Sequence, residues 1–273
     1  GTFCLEDYTR GDGVFTYTLD NQDDYSLATD ICFADTLWDS TSWWSQYGTD
    51  AHYGTELFYD YLWETFGRNS IDDNGFALLS YIHFSPGGPF VKAFWDGERM
   101  TYGNGDTASG YPPLVCVNVA GHEITHGLTE FTANLVYYKE SGALNESFSD
   151  VFGITLQHEF DTAMTDWVIG CGPLEIRDMS NPNLYGDPDT YLGTNWKTTP
   201  GDLYGVHSNS GVQNFWYYNM VEGGSGTNDL GNAYTVDGLG WDVAEQIAFR
   251  NLTFYLHRWS DYSDTRYYAI QAA

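Results

Sequence analysis

Apolar, aromatic and β-branched residues crowd two stretches of the first hundred positions, 14–19 and 76–84, and predict strands. Gly11-Asp12-Gly13, Asp73-Asn74-Gly75 and Pro86-Gly87-Gly88-Pro89 mark turns beside them. Between the strands, Leu57, Phe58, Tyr61, Leu62 and Phe66 recur at helical spacing. They predict a helix over 50–66, with Asp50 as a candidate N-cap. This half reads as mixed sheet with one substantial helix.

Near Pro112 the rhythm changes. Positions 112–133 and 142–160 read as two helices joined through Tyr137-Tyr138-Lys139. A stretch rich in Gly-Pro, Asn-Pro, Asp-Pro and Pro-Gly steps, 167–205, reads as loop. Helical patterning resumes over 210–220 and 242–259. No repeat and no low-complexity linker interrupts the chain. The expected organisation is therefore a sheet-rich part, 1–130, followed by a mainly helical part, 131–273.

Length and composition bound the function. The 273 residues, with 22 Tyr, 16 Phe and 10 Trp, can fill a sizeable core. Thirty-eight acidic side chains against ten basic ones give a formal charge of −28, which repels phosphate backbones and anionic membranes. Nucleic acid is thus excluded as an expected partner, and a membrane with it: no segment approaches 18 continuous apolar residues. No basic and apolar leader stands at Gly1, as expected of a mature chain whose targeting segments have been removed. The four cysteines, Cys4, Cys32, Cys116 and Cys171, permit two disulfides. Three full pairings are open, with sequential pairing preferred and four buried thiols as the alternative.

The chemistry concentrates in His122-Glu123-Ile124-Thr125-His126. On a helix, residues four apart share a face, so both imidazoles can address one ion while Glu123 stands beside that line as a base. Two ligands are too few for a catalytic zinc. Glu146, in Asn145-Glu146-Ser147-Phe148-Ser149-Asp150 on the next predicted helix, is the candidate third. Taken alone it would read as a solvated helix charge. His2Glu with an open position is a sensible catalytic zinc set.

Several motifs in order resemble the thermolysin-like neutral metalloprotease family, one member of which is a standard example of a His2Glu site. They include Gly121 to Gly127, Gly142 to Asp150, Tyr185-Gly186-Asp187-Pro188-Asp189 and Gly205-Val206-His207-Ser208-Asn209-Ser210-Gly211. Thr9 to Gly13, Gly67 to Ser70 and Ala93-Phe94-Trp95 extend the likeness over nearly the whole chain.

The resemblance implies an α+β, two-lobed fold, with a sheet-rich N-terminal lobe, a mainly helical C-terminal lobe and a zinc cleft between them. It implies a secreted, monomeric zinc endopeptidase acting on proteins and peptides, matured by loss of a propeptide. Zinc would be held by His122, His126 and Glu146, with Glu123 as the base acting on metal-bound water. His207, oriented by Asp202, and Tyr137 would stabilise the oxyanion; from residue type alone Tyr138 is indistinguishable from Tyr137. Asp150 and Asn145 would support His122 and His126 respectively. Substrate would meet Ala93, Phe94 and Arg177, with a structural ion pair as the other reading of Arg177. Val119, Ile169 and Ile176 would line a pocket favouring an apolar residue just after the scissile bond. Lys92 replaces the family's usual asparagine, and its side chain can only donate.

A second departure concerns calcium. Where the family clusters acids for a double calcium site, this chain has Asn118, Gln157, Val168 and Cys171, and only Asp166 remains. The double site is expected to be lost, since calcium asks for six to eight oxygens. A Cys116–Cys171 disulfide would take its place, with Cys4–Cys32 as the second bridge. His52, His83, His158 and His257 lack metal spacing and read as structural or surface residues. Asn251-Leu252-Thr253 is a formal glycosylation sequon inside a predicted helix. The rival readings are a zinc amidase or esterase on the same scaffold and a non-catalytic binding relative. Loss of Glu123, Tyr137 or His207 would mark the latter, and all three are present.

Overall fold

The computed structural model describes residues 2–34, 43–161 and 166–273. They form two compact units, residues 1–127 with 170–174 and residues 128–169 with 175–273.

The first unit holds β1 (Phe3–Cys4), β2 (Glu6–Asp7), β3 (Val14–Thr18), β4 (Thr29–Asp30), β5 (Cys32–Phe33), α1 (Trp43–Phe66), β6 (Leu78–Phe84), β7 (Ala93–Trp95) and β8 (Met100–Gly103). The helix α2 (Val117–Glu130) begins there. Its sheet runs β2-β3-β6-β8-β7, with β4 also on β3. The central β3, β6 and β8 are parallel, and β7 closes the edge antiparallel to β8, with Ala93 opposite Tyr102 and Phe94 opposite Thr101. Val14, Leu78, Ile82, Met100 and Tyr102 bury the inner positions of these strands.

Helix α1 starts seven residues before Asp50, so that residue lies inside the helix and is not its N-cap. The upstream turns are held by packing: a side chain at Gly48 would come within 2.8 Å of Ile31. Ala51, Thr55, Phe58 and Leu62 then bury one stripe. Gly54 lets α1 approach α2, since a Cβ there would stand 2.9 Å from that of Ala120. Helix α2 is shorter than the 112–133 pattern at both ends, starting at Val117, after Pro112 and Pro113, and ending at Glu130.

Helix α3 (Lys139–Phe160) organises the second unit. It is buried without a break from Ser141 to Gln157, so it behaves as the central helix of a bundle and not as an amphipathic surface helix. Its buried polar groups must therefore find partners inside the protein. Ser147 donates to Asn214 at 2.7 Å, and Thr155 meets the Tyr217 hydroxyl at 2.8 Å.

The stretch predicted as loop contains a two-stranded sheet of β9 (Val168–Cys171) and β10 (Leu174–Asp178), whose turn end, residues 170–174, clusters with the first unit. The chain continues through α4 (Asp202–Asn209), α5 (Gly211–Glu222), the β11 (Gly224–Thr227) and β12 (Ala233–Val236) pair, α6 (Trp241–Arg250) and α7 (Tyr262–Ala272). The 242–259 pattern breaks after Arg250 into a π-helical turn, Asn251–Tyr255. Asn251 is fully buried and its amide donates to Thr265, so the sequon is closed to modification. Helix α7 escaped the apolar pattern because it buries only Tyr262, Thr265, Ala269 and Ala272. Its sequence signal is the reciprocal capping box of Asp261 and Asp264.

Both disulfides pair sequentially. Cys4 and Cys32 stand opposite each other on β1 and β5, and Cys116 bonds Cys171.

Candidate metal centre and catalytic groups

Helix α2 delivers the first part of the site. Val119, Ala120, Ile124 and Leu128 are buried along it. Gly127 lets it lie against Ile71 and Trp95; a Cβ there would be 2.8 Å from Ile71 and 3.1 Å from Trp95. With the helix so fixed, the His122 and His126 Nε2 atoms come to 3.1 Å, their rings nearly perpendicular at 86°. One ligand atom from each of His122, Glu123 and His126 lies within 4.8 Å of the others. Two nitrogens on a tetrahedral zinc at ~2.05 Å stand about 3.3 Å apart. The imidazole pair thus fits one such ion.

Behind them lies Tyr102 on β8, fully buried. Burial first, and then the nearby Glu123 carboxylate, hold its phenol far above the ordinary value, so it is a neutral neighbour of Glu123. Ala93 and Phe94 lie half-buried on the edge strand β7. Lys92 is exposed, while its carbonyl accepts from Gly103 N at 2.8 Å. Val119 is buried on α2.

The same unit ties down the start of α2. Cys116 N donates to Cys171 Sγ at 3.2 Å. The Asn118 amide pairs both ways with Gly170, its Nδ2 donating at 3.3 Å and its Oδ1 accepting at 3.2 Å. Cys171 is thus a disulfide sulfur, and the Asn118 amide is spent on the backbone. In the second unit Gln157 donates to Asp166 at 3.3 Å, and Val168 begins β9.

The second unit gathers Tyr137, Glu146 and His207. Glu146, 1% exposed, projects from the middle of α3 and accepts a short hydrogen bond from the Tyr137 hydroxyl. That hydroxyl is 3.1 Å from His207 Nε2, which is itself 3.6 Å from Glu146. Tyr138 instead stacks edge-on against Tyr204, with Lys139 Nζ over both rings. The geometry therefore separates the two tyrosines.

His207 is gripped by Asp202 twice, Oδ1 at 2.5 Å from its Nδ1 and Oδ2 accepting from its backbone N at 2.9 Å. Residues 202–205 make this possible by all taking left-handed backbone angles, φ 53, 49, 73 and 84°. Such a turn is unfavourable for Asp202, Leu203 and Tyr204, and is tolerated where the surroundings enforce it. Asn209 enforces it: its Nδ2 donates to Tyr204 O at 3.1 Å and to Lys197 O at 3.0 Å, and its Oδ1 accepts from Lys197 N at 2.9 Å.

Asp150 is fully buried and accepts both arms of Arg177 at 2.7 and 2.6 Å, with Asn214 Nδ2 adding a third bond at 2.8 Å. Burial alone would lower the Arg177 pKa; Asp150, then Glu146 and Asp187, more than offset it and hold the guanidinium charged. Arg177 is thus engaged in an internal ion pair and is 8% exposed. Asn145 donates to Leu135 O at 3.2 Å. Ile169 is buried on β9 and Ile176 half-buried on β10. Neither Asn209 nor Asn214 stands out in the sequence. Asn209 lies in the motif Gly205 to Gly211 without a role that its residue type suggests, and Asn214 is only an asparagine beside apolar helix residues, which reads equally as a surface position.

His52 and His83 are buried, and burial pulls them down to about 4 and about 3, so both are neutral. His158 stacks on Trp241 at 4.1 Å.

Residues 1–130 match the model for the thermolysin metallopeptidase catalytic domain, and residues 133–273 match that for its alpha-helical domain. The chain belongs to the thermolysin metallopeptidase family. It is 37% identical over its full length to the thermostable neutral protease of Geobacillus stearothermophilus, covering 49% of it. It is 38% identical to bacillolysin of Bacillus cereus, covering 47%. The chain spans about half the length of these curated relatives. Among solved structures it resembles the precursor of protealysin, a metalloproteinase from Serratia proteamaculans, with a TM-score of 0.72 and 25% identity over 94% of this chain and 80% of that one.

Proposed function

We propose that this chain is a zinc endopeptidase that hydrolyses internal peptide bonds, with an apolar residue preferred just after the scissile bond. The observation that carries the reading is the His122–His126 pair, 3.1 Å apart on one helix with Glu123 beside it. Membership of a metallopeptidase family supports it.

His122, His126 and Glu146 would hold the ion, Glu146 being assigned from its motif on α3. Zinc supplies Lewis-acid polarisation of the scissile carbonyl and acidifies a coordinated water. Glu123 takes a proton at its carboxylate and returns it to the leaving amine. Tyr137 Oη and His207 Nε2, 3.1 Å apart, are donors for the developing oxyanion, and Asp202 on Nδ1 fixes which ring nitrogen faces it. Asp150 and Asn145 orient the imidazoles. Ala93 and Phe94, on an edge strand, present backbone to an extended substrate. Lys92 adds a cation beside it. Val119, Ile169 and Ile176 supply the apolar pocket, and Arg177 binds a substrate carbonyl while keeping Asp150 charged.

Calcium at the family's double site is replaced by the Cys116–Cys171 bridge and the Asn118–Gly170 pairing. Secretion and a removed propeptide complete the reading. The propeptide is supported by a structural neighbour that is itself a precursor. The test is cleavage of a defined peptide library read by mass spectrometry, with and without a zinc chelator. Internal cuts before apolar residues that vanish on chelation support the proposal. Chelator-resistant cleavage, or release of terminal residues only, contradicts it.

A further inference from the structure

His207 and Asp202 form an open pair, their side chains 53% and 36% exposed. A charged contact at such exposure contributes little and does not by itself hold two side chains in one geometry. The backbone has to hold them. Asp202 reaches both Nδ1 and the backbone N of His207 through the left-handed turn at 202–205, in which Asp202, Leu203 and Tyr204 take a conformation that favours glycine.

One side chain closes that turn. Asn209, 2% exposed, joins Tyr204 O to both backbone groups of Lys197 through its amide. Both Nδ2 protons are engaged by carbonyls and Oδ1 by an N–H, so the amide orientation is fixed by partners whose roles cannot reverse. The fit is close. A Cβ at Gly205 would stand 2.6 Å from Lys197 Cβ and 3.0 Å from Asn209 Nδ2.

Asn209 and Lys197 are anchored in turn. Tyr262 on α7 donates its hydroxyl to Asn209 O at 2.6 Å. Its ring lies 5.6 Å from that of Trp196, the residue before Lys197, and Tyr191 completes the cluster at 5.6 Å from Tyr262 and 4.9 Å from Trp196. Glu140 at the start of α3 accepts from Tyr262 N at 3.1 Å and from the Tyr191 hydroxyl at 3.0 Å. The clamp is therefore built on the frame of the helical unit and not on the exposed pair that it orients.

We propose that Asn209 is a positioning residue for peptide hydrolysis, holding the 202–205 turn so that Asp202 keeps His207 Nδ1 and His207 Nε2 faces the Tyr137 hydroxyl. Asn209 acts through His207 and touches neither substrate nor metal. The role rests on the reading of His207 as an oxyanion donor.

The test uses the intact zinc-loaded protein and Asn209→Ala, with Asn209→Asp, of the same shape but without the two donors, in its place if the first does not fold. In the parent, the nitrogen NMR shift of His207 Nδ1 at about pH 9 should be that of a protonated nitrogen, because Asp202 accepts from it. In the variant it should move toward the unprotonated value. For an internally cleaved peptide, kcat should fall about tenfold to a hundredfold with KM within about twofold, since a misaimed donor loses contact with the transition state and not with the substrate. His207→Ala should lose about a hundredfold, and adding Asn209→Ala to it should cost less than about twofold more, because nothing is left to position. An unchanged Nδ1 shift overturns the positioning role. So does parent-like kcat in Asn209→Ala beside a slow His207→Ala protein, or a further loss of about tenfold in the double variant. Parent-like kcat in His207→Ala overturns instead the oxyanion reading, and the Nδ1 shift alone then decides whether Asn209 holds the turn.

Discussion

Replacing both Cys116 and Cys171 with serine removes a cross-link that closes a 55-residue separation. In the chain-entropy treatment that link constrains the unfolded state by about 4 kcal/mol. The same treatment gives nearly as much, ~3.6 kcal/mol, for the 28-residue separation of Cys4 and Cys32. Entropy alone therefore predicts two bridges of similar worth. Their native surroundings differ. Cys4 and Cys32 join two short strands, whereas Cys116 immediately precedes α2, and its backbone N also donates to Cys171 Sγ. Loss of the Cys116–Cys171 bridge removes the covalent tie beside the start of the helix that carries His122 and His126, where the Asn118–Gly170 amide pair and packing on α1 remain. At roughly 2–4 °C per kcal/mol for a chain of this size, either double serine variant should melt about 10 °C lower in a calorimetric scan. Only Cys116→Ser/Cys171→Ser should also lose zinc affinity, measured by metal content after dialysis against a graded chelator series. A melting point within about 2 °C of the parent would refute the stability reasoning. Equal zinc retention in the two variants would refute the positioning role.

Two further outcomes follow from the buried charges. Arg177→Met strands the Asp150 carboxylate in the interior and should cost roughly 3–5 kcal/mol in denaturant unfolding, with much of it recovered in the Arg177→Met/Asp150→Asn double variant. An unchanged unfolding midpoint would show that the pair is solvated. Burial pushes Asp187 up to about 6, opposed by the Ser208 hydrogen bond and the Arg177 charge. The fold thus favours the neutral acid; that contribution is full below about pH 4 and is lost as pH rises through 6. Asp187→Asn should gain ~2 kcal/mol relative to the parent between pH 4 and pH 7.5, and a pH-independent difference would contradict the assignment.

Part of the candidate site is legible in the sequence because His122, His126 and Glu146 sit on helices. His122 and His126 share a helix face by spacing alone, Glu146 and His207 lie in motifs, and the structure brings Tyr137 into hydrogen-bonding distance of both. Less legible are features set by long-range contacts. The left-handed turn at 202–205 contains only one glycine and is enforced by Asn209. The start of α1 depends on packing at Gly48, and misplacing it made Asp50 look like a cap. The β9–β10 pair is masked in the sequence by the Gly172-Pro173 step in its turn and the Asn181-Pro182 step after it. Helix α7 was hidden by its polar surface. The burial of α3 on all sides is set by long-range partners, Asn214 for Ser147, Tyr217 for Thr155 and Arg177 for Asp150.

The most direct measurement of the central claim is a pair of assays on Glu123→Gln, zinc content and turnover of an internally cleaved peptide. This substitution keeps the shape and hydrogen bonding of the side chain while removing its basicity. The account predicts zinc bound as in the parent and a loss of turnover by at least about a thousandfold. Parent-like turnover in a zinc-loaded Glu123→Gln protein would contradict it.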